Sequence, residues 1–80
     1  MLNISKHSKL SPNVVAEKAA QFFGAGGLGL SANITGESST HFEGGGGFVD
    51  VEIIAAAHGS EVNVQSREWD FQAKQFLEKV

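Results

Sequence analysis

The amino-acid sequence predicts an α+β fold in which one two-layer domain packs two helices on one face of an antiparallel sheet of four or five strands. Three observations predict it. Residues 48–66 hold two runs with the apolar–polar alternation of half-buried strands. Residues 12–23 and 68–79 each hold an apolar stripe at helical spacing. The length of 80 residues suits a single domain, in the order strand, helix, four strands, helix.

The clearest strand pair is formed by residues 48–57 and 60–66. His58 and Gly59 lie between them and suit a tight hairpin turn. A two-residue loop at these positions places apolar residues together on one face and opposite charges together on the other. The predicted pairs are Ala55 with Val62, Ile53 with Val64, Val51 with Ser66, Glu52 with Gln65, and Asp50 with Arg67.

The first helix is predicted over residues 12–23. Ser11 is a natural N-cap, and Pro12 occupies the first helical position, where its missing N–H is not needed. Gly24 is expected to end the helix in a left-handed conformation. The apolar stripe consists of Val15, Ala19, Phe22 and Phe23.

The last helix is predicted near residues 68–79, with Ser66 or Asp70 as its cap. Because an isolated helix of this length is only marginally stable, its stripe must pack on the sheet. Phe71 lies off that stripe. The stripe consists of Trp69, Ala73, Phe76, Leu77 and Val80.

The remaining strands are predicted near residues 2–8, 28–34 and 39–43. A loop of three or five residues pairs the latter two with Thr40 opposite Ile34 and Phe42 opposite Ala32, because a two-residue loop would turn polar residues toward the core. The glycine run 44–47 has two interpretations: a flexible connection between strands, or a mobile loop over a binding site.

The predicted core follows from these apolar faces. Its members are Val15, Ala19, Phe22, Phe23, Leu28, Leu30, Ile34, Phe42, Val49, Val51, Ile53, Val62, Val64, Trp69, Ala73, Phe76 and Leu77.

Composition narrows the classes of function. The chain has no cysteine, which excludes a disulfide staple and a thiolate metal site. The net charge is −3 with only six Lys and Arg residues, so no basic face is expected for nucleic acid or an anionic membrane surface. Without an apolar span or a signal-peptide core, a cytoplasmic location is the expectation.

Motifs that could carry chemistry are sparse. Gly24, Gly26 and Gly29 spell G-x-G-x-x-G, but a helix precedes and a strand follows, the reverse of a dinucleotide-binding unit. His41 and Glu43 share one face of a strand, yet a metal site needs at least one further ligand. We therefore predict no catalytic residue, no cofactor and no metal.

Both ends of the chain resemble a known superfamily. The opening LNISKHSKLSPNVVAEKAAQFFG and the ending SEVNVQSREWDFQAKQFLEKV are similar to the START-like, or polyketide cyclase-like, helix-grip superfamily. The resemblance implies an antiparallel sheet that grips the last helix, in some members around an apolar ligand cavity. The family is usually nearly twice as long, with more strands and a second short helix.

Three functions follow as hypotheses, and the least favoured is a hydrolase or metal-dependent enzyme, whose only support is His41 with Glu43. The first is a small non-enzymatic interaction module acting through protein contacts, with itself or another protein as partner, and with Phe48, Ile54 and Phe71 as candidate interface residues. The alternative is a helix-grip binder of a small apolar ligand. Its candidate ligand-binding residues are Trp69, Phe42, Gly45 and Gly46.

Overall fold

The computed structural model describes residues 2–24, 26–36 and 38–80 and confirms the predicted α+β fold. Five antiparallel strands form one sheet in the order β1-β5-β4-β3-β2. Helix α1 lies over β4 and β5, and helix α2 lies over β5, so both helices cover the same face. The elements are β1 (Leu2–Ser8), α1 (Pro12–Phe23), β2 (Ser31–Ile34), β3 (Ser39–Gly44), β4 (Gly47–Ala56), β5 (Gly59–Arg67) and α2 (Asp70–Glu78).

Helix α1 begins and ends where the sequence predicts. Ser11 is the N-cap residue and Pro12 the first helical residue, although the Ser11 side chain makes no capping hydrogen bond. The prediction of a left-handed Gly24 is wrong, because this residue is extended with φ −81° and ψ −159°. Glycine is needed there for space: a Cβ would overlap the carbonyl oxygen of Ala20, which accepts the Gly24 N–H.

Helix α2 begins differently from the prediction. Trp69 is its N-cap residue, and neither predicted cap bonds a backbone N–H at the helix start. Instead the Ser66 hydroxyl donates to the Asp70 carboxylate over 2.6 Å. Glu68, in the connection between β5 and α2, has a positive φ of 71°. The hydrogen bond between Ser66 and Asp70 thus joins the buried end of β5 to the first turn of α2.

The β4–β5 hairpin keeps the predicted faces but not the predicted register. Ala56 pairs with Gly59, so the loop residues are Ala57 and His58, and every pair shifts by two positions along β5. Gly59 begins β5, and its φ of +126° and its close approach to the Ser8 carbonyl oxygen both require glycine at this position. The observed pairs include Ile53 with Val62, Val51 with Val64, Val49 with Ser66, Asp50 with Gln65, and Phe48 with Arg67.

The β2–β3 hairpin has the predicted register, with Ala32 opposite Phe42 and Ile34 opposite Thr40. Strand β2 is shorter than predicted, because the Leu30 N–H bonds the carbonyl of Phe23 at the end of α1 and not a neighbouring strand. Two predicted core residues are also misplaced. Leu28 is 37% exposed and Ile34 is 78% exposed.

The glycine run 44–47 is a tight turn. Gly44 ends β3 and Gly47 begins β4, which leaves Gly45 and Gly46 as a two-residue loop. Their φ angles of 61° and 83° are those of a type I′ turn, the connection that matches the twist of paired strands. The run is therefore a strand connection, and a short one.

The core lies between the helices and the sheet, where three phenylalanine rings meet. The ring centroids of Phe23 lie 5.3 Å from Phe42 and 5.2 Å from Phe76. Phe22 and Trp69 pack against this core as half-buried residues. The buried members are Val15, Ala19, Phe23, Leu30, Phe42, Val49, Val51, Ile53, Val62, Val64, Ala73, Phe76 and Leu77.

A cluster of buried polar groups joins β1 to the hairpin end of β5. The Ser60 hydroxyl donates to the Leu10 carbonyl over 2.8 Å. The Ser8 hydroxyl donates to the Val80 carbonyl and accepts the Leu10 N–H, each over 3.1 Å. These hydrogen bonds satisfy groups that would be costly to bury without partners.

Candidate functional site

Trp69 lies against the glycine turn. Its indole N–H donates to the Gly44 carbonyl over 2.8 Å, and a Cβ at Gly45 would lie only 2.8 Å from the Trp69 ring. Gly46 is at the open tip of the turn, where a Cβ would meet nothing within 4 Å. Phe42 is 1% exposed and belongs to the core. Of the four candidate ligand residues, Trp69 and Gly45 are therefore in contact, while Phe42 offers no surface to a ligand.

The sheet face opposite the helices, here called the outer face, carries a polar ladder. Ser5 donates to Asn63 over 2.6 Å, and Asn63 donates to Glu52 over 3.0 Å. The next row pairs His7 with Glu61 at 2.9 Å. These cross-strand contacts match what the strand alternation predicts for a solvated face.

His41 is the most constrained ionisable group on the outer face. Its Nδ1 lies 2.5 Å from Asp50 and its Nε2 lies 3.5 Å from Glu43. The Phe48 ring stacks on the imidazole at 5.5 Å between centroids. The hydrogen bond to Asp50 raises the pKa of His41, aided by the charges of both carboxylates and the hydrogen bond to Glu43, while burial opposes it.

The raised pKa predicts how stability depends on pH. Because folding raises the pKa of His41 above 6.5, its contribution to stability is complete below that pH. The contribution is lost as the pH rises through the pKa of the folded state. We expect His41→Gln to remove this component, so that the difference in unfolding free energy from the parent shrinks with increasing pH. Urea unfolding at a series of pH values measures it, and parallel profiles would contradict it.

The candidate interface residues do not form one patch. Phe48 and Ile54 lie near opposite ends of the outer face of β4, six residues apart, or about 20 Å. Phe71 is 67% exposed on α2, whose buried residues include Ala73 and Phe76 on the opposite side. Phe48 is half-buried against His41, whereas Ile54 is 45% exposed.

A different surface combines apolar side chains with free backbone groups. All four residues of β2 are exposed, and Ile34 has the largest exposed fraction among the large hydrophobic residues that the structure describes. Ile34 also lines a groove of about 420 Å³ between the start of α1 and strands β3 and β4. The groove has apolar walls at Pro12, Ala16, Ile53 and Ala55 and polar ones at Asn13, Ser38, Ser39 and Thr40. We call the surface formed by Pro12, Ala16, Ala32 and Ile34 the β2 corner.

The outer edge of β2 presents unused backbone groups. In residues 2–24, 26–36 and 38–80, β2 pairs only with β3. The Thr35 N–H bonds the Ser39 carbonyl, so the odd-numbered residues of β2 direct their backbone groups at β3. Because these directions alternate along an antiparallel strand, Ala32 and Ile34 direct theirs away from the sheet.

The β2 corner does not follow from the alternation of residues, because alternation identifies a face of a strand but not what covers that face. One signal was available. A helix about 10 Å wide covers about two strands spaced at 4.8 Å, so two helices cover about four of five strands. One of the five strands is therefore left without a helix over it. Residues 28–34 contain no charge, which makes this short strand the candidate for the uncovered one.

The described residues contain neither a cluster of metal ligands nor a helix suited to cross a membrane. Among the described residues, no group of three or more His, Cys, Asp or Glu side chains could hold a metal ion. In the same part of the chain, no helix has the length and apolar character to cross a membrane.

Comparison with family models, curated proteins and solved structures found no match.

Proposed function

We propose that this chain is a small non-enzymatic interaction module that binds a protein through the β2 corner. The observation that carries the proposal is the combination at one edge of an exposed apolar side chain, Ile34, an adjoining, partly apolar groove, and outward-directed backbone groups. Added strands bind to such an edge through main-chain hydrogen bonds, and side chains in neighbouring grooves provide specificity.

The absence of charge on β2 strengthens this proposal. Edge strands are commonly protected from pairing by lysine and other charged residues, or by proline, which lacks a backbone N–H. Ser31–Ile34 contains none of these. The other edge strand, β1, includes Lys6, whose ammonium group donates to the Leu77 carbonyl at the end of α2. Of the two edge strands, β2 is thus the one that lacks protection against pairing with another strand.

The alternative, a helix-grip binder of an apolar ligand, has weaker support. A ligand pocket between sheet and last helix would need space of about 300 Å³ or more. Phe23, Phe42 and Phe76 fill the centre of that region, with ring centroids 5.2–5.3 Å apart. The groove of about 390 Å³ that lies between β1 and α2 is an open surface cleft whose lining includes Lys6, Lys74 and Glu78. Trp69 holds the glycine turn by its indole N–H and packs on the core. Its contacts are those of a structural residue.

A single charge at the β2 corner tests the proposal. Ile34→Lys should abolish protein binding, because it introduces a charge into the partly apolar groove at the pairing edge. Ile54→Lys is the matched control, since Ile54 is also exposed but lies on the outer face. The parent and both variants are immobilised separately, and the proteins that each retains are compared. Untagged copies of the chain are among the proteins offered to them.

The expected result is retention by the parent and Ile54→Lys, and loss with Ile34→Lys. Both substitutions should change unfolding free energy by less than about 0.5 kcal/mol, because both sites are exposed. Equal retention by all three chains, or retention by none, would contradict the proposal.

A further inference from the structure

We infer that the partner at the β2 corner is a second copy of this chain, paired through β2 in antiparallel orientation about a two-fold axis at Asn33. This inference rests on the proposed function and adds the occupant and the register. It would join two five-stranded sheets into one continuous sheet with both α1 helices on the same face.

The sequence of β2 complements itself in this register. Pairing about Asn33 places Ala32 opposite Ile34 of the other copy, and the same contact recurs by symmetry. Ala32 and Ile34 lie on the helix-covered face, where their partners in β3 are Phe42 and Thr40. Each exposed isoleucine therefore packs beside an alanine on the same face of the joined sheet.

The backbone hydrogen bonds agree with the same register. Antiparallel pairing requires that residues with outward-directed backbone groups lie opposite each other. Ala32 and Ile34 are the residues of β2 with such groups, as the Thr35–Ser39 hydrogen bond indicates. In the two-fold dimer, Ala32 of each copy lies opposite Ile34 of the other, and each such pair forms backbone hydrogen bonds in both directions. Asn33 then faces its own copy as a pair without hydrogen bonds.

Charge favours a second copy over a basic protein at this edge. A basic segment finds its complement on the outer face, where Asp50, Glu52 and Glu61 lie. Two copies of net charge −3 repel each other at long range, but the uncharged strand Ser31–Ile34 places no like charges opposite each other at the contact.

Cysteine substitution tests the register directly, because the chain has no cysteine of its own. In a two-fold pair the Cα atoms of the two Asn33 residues would be about 4.5 Å apart, within disulfide range. The two Ala32 residues would be about 8 Å apart, beyond it. Asn33→Cys should form a disulfide-linked dimer on mild oxidation, whereas Ala32→Cys, the matched control, should not.

Sedimentation of the cysteine-free chains gives the second readout. The parent should show a monomer–dimer equilibrium over a concentration series, and Ala32→Pro should lose the dimer because it removes an outward N–H. That N–H is not used within the sheet, so Ala32→Pro should keep the circular dichroism spectrum of the parent.

Three outcomes would overturn the inference. A parent chain that stays monomeric throughout the concentration series would overturn it. If the parent then retained some other protein and Ile34→Lys did not, the proposed function would still be supported. A dimer that survives Ala32→Pro would place the contact elsewhere and count against both. A dimer lost in Ala32→Pro whose Asn33→Cys chains link no faster than Ala32→Cys would refute this register alone.

Discussion

Replacing Phe76 by alanine is expected to lower the free energy of unfolding by about 3–5 kcal/mol, one of the two largest effects expected for this chain. Phe76 is 0% exposed, and its ring lies 5.2 Å from Phe23 and 6.1 Å from Phe22. The change removes the apolar contacts that attach α2 to the core and leaves a cavity among aromatic rings. For a small domain with a stability of about 5 kcal/mol, most of the stability is lost.

Phe71→Ala is the matched control, because it makes the same change five residues earlier in the same helix. Phe71 is 67% exposed, so this variant should differ from the parent by less than about 0.5 kcal/mol. Urea unfolding followed by circular dichroism compares the three chains. If Phe76→Ala unfolded at the same urea concentration as the parent, the placement of α2 on the sheet would be wrong.

The second large effect is expected at Gly59. Alanine there would adopt an unfavourable conformation at φ +126°, and its Cβ would overlap the Ser8 carbonyl oxygen of the neighbouring strand. Strain of this kind costs about 1–3 kcal/mol, and overpacking costs about the same again. Gly59→Ala should therefore destabilise the chain by roughly 2–6 kcal/mol. It should also loosen β1, because the clash lies between β1 and β5.

Gly46→Ala separates the two causes. Gly46 has φ +83° but nothing lies within 4 Å of the Cβ position, so only the backbone strain of about 1–2 kcal/mol should remain. Thermal or urea unfolding of both variants measures the difference. Equal destabilisation at the two glycines would show that β1 does not approach Gly59 as closely as the structure has it.

Element order and most of the core were predictable because periodicity and packing agree. The stripe of α1 and the alternation along β4 and β5 each identify a buried face, and those faces meet in the structure. The β2–β3 register was also predictable, since a loop of three or five residues keeps Phe42 on the core side and a two-residue loop does not. Local pattern is sufficient where a single face must be buried.

The β4–β5 register was not predictable from the same reasoning. A shift by two positions keeps every side chain on its face, so the hydrophobic pattern cannot distinguish the two registers. Charge pairing favoured Asp50 opposite Arg67, but the structure places Gln65 opposite Asp50 and Phe48 opposite Arg67. In the observed register Gly59 approaches the Ser8 carbonyl oxygen, which belongs to a strand near the other end of the chain and which local pattern does not reveal.

The candidate site was the least predictable part. Phe48, Ile54 and Phe71 share only their position off the predicted apolar faces, and the structure separates them. Ile34 was assigned to the core because it alternates correctly, yet it is exposed because the described helices leave β2 uncovered. Exposure depends on how many strands two helices can span, a property of the assembled layers.

The strand order has a consequence for how the chain folds. Strands β2 to β5 are joined in sequence by short turns, so their pairing closes only small loops. Strand β1 pairs with β5 at the far edge, with Leu2 opposite Ser66. Closing so long a loop costs more chain entropy than closing a hairpin. The β2–β5 meander therefore supplies the low-contact-order part of the domain, and β1 sets the entropic barrier to completing the sheet.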